Sequence, residues 1–276
     1  MNKEDYIKII KEKLYGTSQK IFLNQLEKYD QAKEQKLPPH TYNIGDSVTL
    51  RKGTLLHGTY KNIEGLQEIV SNGLISSWFI DGRLSKYPSS VGVWHLKQDY
   101  LLKEYINFYS GGTIAYRNMQ GDLIKTDVIP YDRMKNIMTE IHDSNCFRWE
   151  MEQTKEARFM PSFVQNEVQI GIIFNGETPA VKELLKGDIL SDFINDKDVK
   201  AFVNPDYYDE FIIERKYKND FFTDRESAIL FGIPSNFIEG ILVGKKYEND
   251  WQMLNKIKSM IPNCYICNLD GKVICI

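Results

Sequence analysis

The sequence TLLHGTYKNIEGLQEIVSNGLI, residues 54–75, decides the fold prediction because its hydrophobic period changes partway along. Residues 54–59 are typical of a short apolar strand, and residues 62–72 place apolar side chains at helical spacing. Gly73 can take the left-handed conformation that ends a helix. The glycine after His57 leaves backbone amide groups open beside an imidazole, an arrangement suited to binding a polar nucleotide.

Composition sets the broad class of the protein. The 276 residues can bury a full core, so we expect one large domain or one domain with an appendage. Hydrophobic residues make up 42% and charged residues 26%, which is ordinary for a soluble globular protein. The net charge of -3 argues against a general electrostatic attraction to nucleic acid, although a local basic groove is compatible with that average. The class of partner therefore stays open.

The ends and apolar runs of the chain bear on its location. Residues 1–7 are too charged for the apolar core of a secretory signal. No stretch of the sequence is long and apolar enough to suggest a membrane span, so no membrane partner is expected. We therefore expect a cytoplasmic protein, or one delivered into a target cell by a route without a classical signal peptide.

The pattern of elements predicts an α+β protein. Helices are expected at residues 6–14, 17–29, 62–72, 99–109, 179–186 and 250–260, and strands at 48–50, 54–56, 91–94, 168–174, 227–231 and 237–243. Hairpins are expected at 113–129 and 264–276, and a polar loop at 76–90. The period changes near residue 45. This change predicts an N-terminal helical segment, residues 1–45, before a domain at 46–276.

The spacing of cysteines and histidines bears on metal binding. Cysteines occur at positions 146, 264, 267 and 275, and the pair Cys264 and Cys267 could form half of a zinc site or a redox pair. No second pair of ligands lies nearby, and the intervening Tyr265-Ile266 fits an apolar strand, so a structural role is favoured. The histidines at 40, 95 and 142 show no ligand spacing. No metal is expected.

Three motifs in order carry a family resemblance. The first is residues 57–75; the second is Gly92-Val93-Trp94 followed by Tyr105; the third is Glu226 in DRESAILFGIPSNFIEGILVG. Together they resemble the ADP-ribosyltransferase superfamily, in the His-Tyr-Glu branch that contains diphtheria-type toxins and the poly-ADP-ribose polymerases. Trp94 stands where the family usually has tyrosine or phenylalanine. The resemblance implies split antiparallel β-sheets with flanking helices over roughly residues 46–245.

The resemblance implies NAD as co-substrate and assigns residues to it. The amide and carbonyl of Gly58 would pair with the carboxamide of nicotinamide, and His57 and Thr59 would bind the adenosine-side ribose. Tyr105 would stack on the nicotinamide, with Trp94 as the second aromatic residue beside it. Each aromatic has a structural alternative, since Tyr105 lies on an apolar helix and can serve the core instead.

Catalysis needs a negative charge near the ribose carbon that nicotinamide leaves. Loss of nicotinamide creates an oxocarbenium-like centre, which a carboxylate stabilises. Glu226 is the candidate for this role, with His57 and Tyr105 completing the catalytic set. Glu167, also at the start of a predicted strand, is the rival carboxylate. Asp224 would point to the same strand face as Glu226 and contact the acceptor.

An aromatic and basic stretch, residues 207–222, has two interpretations. Its tyrosines and phenylalanines are interleaved with Arg215, Lys216 and Lys218, which is compatible with a surface for single-stranded nucleic acid. The alternative is a loop whose aromatic side chains lie in the core while its charges stay in solvent. The second interpretation is favoured.

The most favoured function from the sequence is transfer of ADP-ribose from NAD to a macromolecular acceptor, protein or nucleic acid, by a bacterial toxin or effector. Such a protein often has an immunity or antitoxin protein as its partner. Three alternatives stay open. An NAD-dependent RNA 2'-phosphotransferase would need arginines around a phosphate, for which Arg51, Arg83 and Arg117 are weak candidates. An NAD glycohydrolase would lack an acceptor groove, and a nucleotide-binding module would bind without turnover.

Overall fold

A computed structural model describes residues 3–59, 62–82, 87–109, 112–117, 123–129, 148–152, 170–209, 211–212, 215 and 225–276. For residues 62, 106–109, 112–117, 123–129, 148–152 and 225–226 the description covers the backbone. The predicted α+β class is confirmed, with a mostly antiparallel sheet at the centre. Within these residues, no helix combines the length and the apolar composition that crossing a membrane requires.

Helices and strands alternate irregularly along the chain. The helices are α1 Lys3–Lys13, α2 Gly16–Lys33, α3 Asn62–Asn72, α4 Ser77–Ile80, α5 Leu102–Tyr109, α6 Pro179–Leu185, α7 Asp196–Val199 and α8 Trp251–Met260. The strands are β1 Thr49–Leu50, β2 Leu55–Thr59, β3 Leu74–Ile75, β4 Ser90–His95, β5 Tyr100–Leu101, β6 Gly112–Arg117, β7 Leu123–Ile129, β8 Arg148–Glu152, β9 Ile170–Phe174, β10 Arg225–Leu230, β11 Gly232–Ile233, β12 Ile238–Val243, β13 Tyr265–Cys267 and β14 Val273–Cys275.

The largest sheet has seven strands in the order β10-β4-β2-β9-β12-β13-β14. Neighbouring strands in it are antiparallel except β12 and β13, which are parallel. Strand β2 lies between β4 and β9, and β10 lies at one edge. The remaining described strands form a three-stranded sheet, β7-β6-β8, and two short pairs, β1 with β5 and β3 with β11.

The large sheet carries a hydrophobic cluster on each face. Successive residues of β2 illustrate this, because Leu55 belongs to the larger cluster and Leu56 to the smaller one. The larger cluster packs the sheet against α1, α2, α3, α6 and α8. The smaller cluster includes Leu102 and Tyr105 of α5. The face with Leu56 is therefore the face that α5 covers.

The N-terminal helices contribute directly to the larger cluster. The amide of Gln25 on α2 donates to the carbonyl of Leu184 over 2.9 Å, and the hydroxyl of Tyr29 donates to the carbonyl of Asn72 over 3.0 Å. Both α1 and α2 also supply fully or almost fully buried apolar side chains. Residues 3–33 therefore share one core with the large sheet.

Phe231, at the bend between β10 and β11, combines strained backbone with dense packing. Its φ of 66° lies in the left-handed region, which is unfavourable for a bulky residue. Its carbonyl accepts from the Ser76 amide over 2.8 Å, and its own amide donates to the Ser89 carbonyl over 2.9 Å. The ring lies 4.6 Å from that of Tyr29 and 5.0 Å from that of Tyr6, measured between centroids. The N-terminal helices thus stabilise the bend that follows β10.

Most predicted elements are confirmed, and the differences have local causes. A short helix, α4, lies inside the predicted polar loop at 76–90. Helix α5 starts at Leu102 rather than Asp99, because Tyr100 and Leu101 first pair with β1. Helix α7 and the 3-10 turns at Lys200–Phe202 and Pro205–Tyr207 were not predicted. Segments this short give too few residues for a hydrophobic period to be visible.

Candidate functional site

Strand β2 brings His57, Gly58 and Thr59 to the middle of the large sheet. On one side it pairs with β9 along its whole length, from Leu55 to Thr59. On the other side it pairs with β4 at two residues, Leu55 opposite His95 and Leu56 opposite Trp94. The two strands therefore stop pairing where the His-Gly motif begins.

The backbone of Gly58 is directed toward the place where this pairing stops. The amide of Leu96 donates to the carbonyl of Thr54 over 3.0 Å, so the even-numbered residues of β2 direct their backbone groups toward β4. Gly58 is even-numbered, and the β4 residue that continues the register is Gly92. Both glycines are partly exposed, although Leu56 and Trp94 beside them are buried. We call this opening, formed by His57, Gly58 and Gly92, the notch.

His57 binds the β4 side of the notch. Its Nδ1 lies 3.0 Å from the carbonyl oxygen of Gly92. A carbonyl oxygen only accepts hydrogen bonds, so Nδ1 is the donor in this contact. The ring is half-buried, and its strand position places it on the same sheet face as Leu55 and Thr59. The imidazole thus donates to the Gly92 carbonyl, which would otherwise be available for pairing with β2.

Glu226 lies on the strand next to the notch. As predicted, it stands near the start of a late strand, and in β10 it pairs directly with Trp94 of β4. Trp94 in turn pairs with Leu56 of β2, so the three residues form one row across three strands. The side chain of Glu226 lies outside the described part of the structure, and its backbone position is two residues along from the row of Gly92.

Two predicted aromatic residues meet in the smaller cluster. Tyr105 is 0% exposed and Trp94 is 6% exposed, and both pack in the cluster that contains Leu56. The Tyr105 ring lies 5.2 Å from that of Tyr100. Tyr105 is therefore a core residue in this conformation of the chain, and its stacking on nicotinamide stays a prediction. The indole Nε1 of Trp94 is buried and has no hydrogen-bond partner among the described residues.

The outer side of β10 is occupied by a segment that the sequence did not indicate. Asp188 is 0% exposed, and its Oδ1 accepts from the amides of Ala228, at 2.8 Å, and Leu190, at 3.0 Å. The amide of Ile189 donates to the carbonyl of Ala228, and the amide of Leu230 donates to the carbonyl of Gly187, both over 2.9 Å. A Gly-Asp pair after a helix is a turn signal, but it does not reveal which strand the turn contacts.

The other acidic candidates fall outside the part of the chain that the structure describes. Asp224, the acceptor candidate, and Glu167, the rival carboxylate, both lie outside the described residues. The same holds for Arg83 of the phosphotransferase alternative. Arg51 precedes β2 and Arg117 ends β6 in a different sheet, so these two arginines are on separate elements.

The described part of residues 207–222 has a buried side and an exposed side. Phe211 is fully buried, and Tyr207 is exposed. The guanidinium of Arg215 donates to the carbonyls of Ser191 and Ile194 and pairs with Asp196 at 3.0 Å. Arg215 is therefore engaged with the protein itself. Lys216 and Lys218 lie outside the described residues.

The pair Cys264 and Cys267 is buried at strand β13. Cys264 and Cys267 are free and buried, and Tyr265-Ile266 between them lies on β13, as predicted. Burial raises the pKa of the Cys264 thiol to about 12 and also raises the pKa of Cys267. The described residues contain no group of three or more His, Cys, Asp or Glu side chains that could hold a metal ion.

Comparison with known proteins gave no similarity: no family model, no curated protein and no solved structure matches the chain.

Proposed function

We propose that the protein is an NAD-dependent ADP-ribosyltransferase that transfers ADP-ribose to a macromolecular acceptor. The observation that carries this proposal is the notch. There the N–H and the C=O of Gly58 are directed toward a stretch of β4 that does not pair with β2. Backbone groups in the middle of a sheet normally pair with the neighbouring strand. A pair left open and partly exposed is suited to a ligand.

The notch offers hydrogen-bonding groups that complement the carboxamide of nicotinamide. The carboxamide carries one N–H₂ donor and one carbonyl acceptor on the same carbon, and Gly58 offers one carbonyl and one N–H directed to the same side. The two groups can therefore form a complementary pair of hydrogen bonds. Neither Gly58 nor Gly92 has a side chain that would keep a flat ring from approaching the backbone.

The three sequence motifs become neighbours in the sheet. His57 is on β2, Trp94 on β4 and Glu226 on β10, and these strands are adjacent in the order β10-β4-β2. The motifs are far apart along the chain, so this adjacency is independent support for reading them as one site. It also favours an ADP-ribosyltransferase-like arrangement of the sheet.

The charge needed for catalysis can come from Glu226. A dinucleotide with its carboxamide at Gly58 would have its nicotinamide ribose next to the notch, and the backbone of Glu226 on β10 is two residues along from the row of Gly92. A carboxylate there stabilises the positive charge that develops as nicotinamide leaves. His57 and Thr59, on one face of β2, are then in position to bind the adenosine-side ribose through the imidazole and the hydroxyl.

The test is incubation of the purified chain with NAD labelled in its adenylate phosphate, alone and with a cell lysate. Transfer predicts nicotinamide release together with label in the protein or nucleic-acid fraction. Nicotinamide release with label only in free ADP-ribose would favour a glycohydrolase, and binding without release would favour a nucleotide-binding module. A parallel reaction with RNA that carries an internal 2'-phosphate tests the phosphotransferase. Absence of NAD binding would overturn the proposal.

A further inference from the structure

A connector, residues 34–48, joins α2 to β1 and covers the outer edge of β14. The amide of Gly45 donates to the carbonyl of Val273 over 2.8 Å, and the amide of Val273 donates to the carbonyl of Asp46 over 2.9 Å. The connector therefore takes the place of a neighbouring strand at an edge that would otherwise expose unpaired backbone groups.

Two aromatic rings hold the middle of the connector against β13. The rings of His40 and Tyr42 lie 5.7 Å and 4.8 Å from that of Tyr265, measured between centroids, and both meet it edge to face. Strand β13 is itself paired with β12 on one side and with β14 on the other. Its place in the sheet therefore does not depend on the connector, whereas the connector depends on these ring contacts.

The surroundings of His40 suit a neutral imidazole better than a charged one. Its Nδ1 is buried and has no hydrogen-bond partner among the described residues. The ammonium group of Lys258 on α8 donates to the carbonyls of Pro262 and Cys264, each over 2.6 Å. Cys264 directly precedes Tyr265, the residue whose ring His40 contacts. A positive charge beside the imidazole opposes the gain of a second ring proton.

The other titratable groups around His40 do not compensate for that charge. The Cys264 thiol and the Tyr265 hydroxyl stay neutral, because burial raises the pKa of both groups. From β12, the Glu239 carboxylate raises the pKa of the Tyr265 hydroxyl further. Burial first, and the Lys258 ammonium second, lower the pKa of His40 below its ordinary value of 6.5, and nearby backbone carbonyls oppose this shift only in part.

The direction of this shift determines how the connector responds to pH. A histidine whose pKa is lower in the closed state than in water gains its proton more easily when the contact opens. The stability of the closed connector is therefore fully present above pH 6.5 and falls as the pH drops below that value.

We propose that His40 is an acid-sensitive latch, whose second ring proton releases the connector from β13 and β14 while the rest of the large sheet stays paired. Release moves the charged imidazole into water and away from Lys258. It also uncovers the edge of β14. The latch is independent of the proposed function, since β14 and the Glu226 strand β10 are at opposite edges of the sheet.

The test follows single backbone amides by hydrogen exchange in the ¹⁵N-labelled protein, from about pH 7.5 to about pH 5. The reporters are the amides of Gly45 and Val273, which join the connector to β14. The amides of Ile189 and Leu230, at the opposite edge of the sheet, are the internal control. After correction for the intrinsic pH dependence of exchange, protection of the reporters should fall by up to about tenfold per pH unit below 6.5. Protection of the control amides should stay constant.

A variant pair assigns the effect to this histidine. His40→Gln keeps a polar side chain that does not gain a charge, so the acid response of the two reporter amides should disappear. His95→Gln is the matched control, because His95 lies on β4 near the other edge of the sheet, and it should retain the full response. Each variant is compared with itself at neutral pH, so a connector that opens more at every pH stays informative.

The unaltered protein gives a second measurement that needs no substitution. NMR titration resolves the ring signals of the four histidines, and contact with the Tyr265 ring identifies that of His40. We expect this ring to gain its proton below pH 6.5, together with the loss of reporter protection. Reporter protection that does not change with pH, or that is lost equally in His40→Gln, would overturn the inference. Equal loss at the control amides would show unfolding of the whole sheet and would also contradict it.

Discussion

Backbone groups are fully paired at one place in the three strands β10, β4 and β2 and incompletely paired at another. At the outer edge of β10, the amides of Ala228 and Leu230 both have partners in the segment that contains Asp188. Inside the sheet, between β4 and β2, pairing stops at Leu56 and the backbone of Gly58 faces an opening. Edges of sheets are normally the places with unpaired groups. Here the edge of β10 is covered, whereas pairing inside the sheet is incomplete.

The covered edge of β10 and the notch also differ in burial. Asp188 is fully buried, and its Oδ1 accepts hydrogen bonds from two backbone amides, one of which belongs to β10. His57 and the two glycines of the notch are partly exposed. Substitutions at the covered edge should therefore affect stability, whereas substitutions at the notch should affect ligand binding or turnover. The following predictions test this division, in order of decreasing expected effect.

The largest effect is expected for Glu226→Gln. This change keeps the volume of the side chain and removes the negative charge that, under the proposed function, stabilises the oxocarbenium-like transition state. Nicotinamide release should fall by about two to three powers of ten, with NAD affinity little changed. The measurement is the rate of nicotinamide release at saturating NAD, together with calorimetric titration of NAD.

Glu167→Gln is the control for that experiment, because Glu167 is the other carboxylate that the sequence offers. It should be nearly silent. If Glu167→Gln abolishes nicotinamide release while Glu226→Gln leaves it intact, the catalytic strand has been assigned wrongly, and the adjacency of β10 to the notch loses its meaning for function.

The covered edge should respond in stability. Asp188→Ala removes the acceptor for the amides of Ala228 and Leu190, and we expect it to lower the free energy of unfolding by about 3 kcal/mol. Asp188→Asn retains an acceptor oxygen and should cost clearly less. Urea denaturation of both variants measures the difference. Equal losses for alanine and asparagine would show that the two hydrogen bonds are not what holds this edge.

The notch should respond in affinity. His57→Ala removes the imidazole that binds the Gly92 carbonyl, and we expect NAD binding to weaken about tenfold while the melting temperature stays close to that of the parent. His95→Ala is the matched control, since His95 lies on β4 opposite Leu55, where the strands still pair. Unchanged NAD affinity in folded His57→Ala protein would remove His57 from the site.

The smallest effect is expected at the cysteines. It tests whether buried thiols away from the notch react slowly with a thiol reagent. Because the pKa of Cys264 is raised to about 12, its thiol stays protonated at neutral and mildly alkaline pH. Cys264 and Cys267 should therefore react much more slowly with a thiol reagent than the less buried Cys275. Peptide mass spectrometry of the native protein after brief alkylation measures this order. Fast labelling of Cys264 would contradict its buried setting.

Local elements could be predicted from the sequence because their signals are local. The helix that begins at Asn62 ends at Gly73, which has a φ of 85°, as the glycine stop predicted. The terminal hairpin turns at Gly271, with a φ of 69°, for the same reason. In both cases the glycine itself is a local signal for a left-handed backbone conformation.

The arrangement of the site could be predicted only in part. His57 and Gly58 were expected at the end of an apolar strand, and they are there. The position of the notch depends on where β4 stops pairing with β2. Because β4 is a separate strand further along the chain, the motif on β2 alone does not reveal that position. Asp188 was missed because one acidic residue in a turn carries no periodic signal, and the buried indole of Trp94 was missed because an aromatic residue in a strand gives no sign of whether its N–H has a partner.

The packing of Phe231 has a consequence for the order in which the chain can fold during synthesis. Tyr6 and Tyr29 leave the ribosome about 200 residues before the ring that they contact, so α1 and α2 cannot complete their core until β10 and its bend have been made. We therefore expect late, all-or-none acquisition of the native state. A newly made chain stays without an assembled notch and β10 row until almost all of it has been translated.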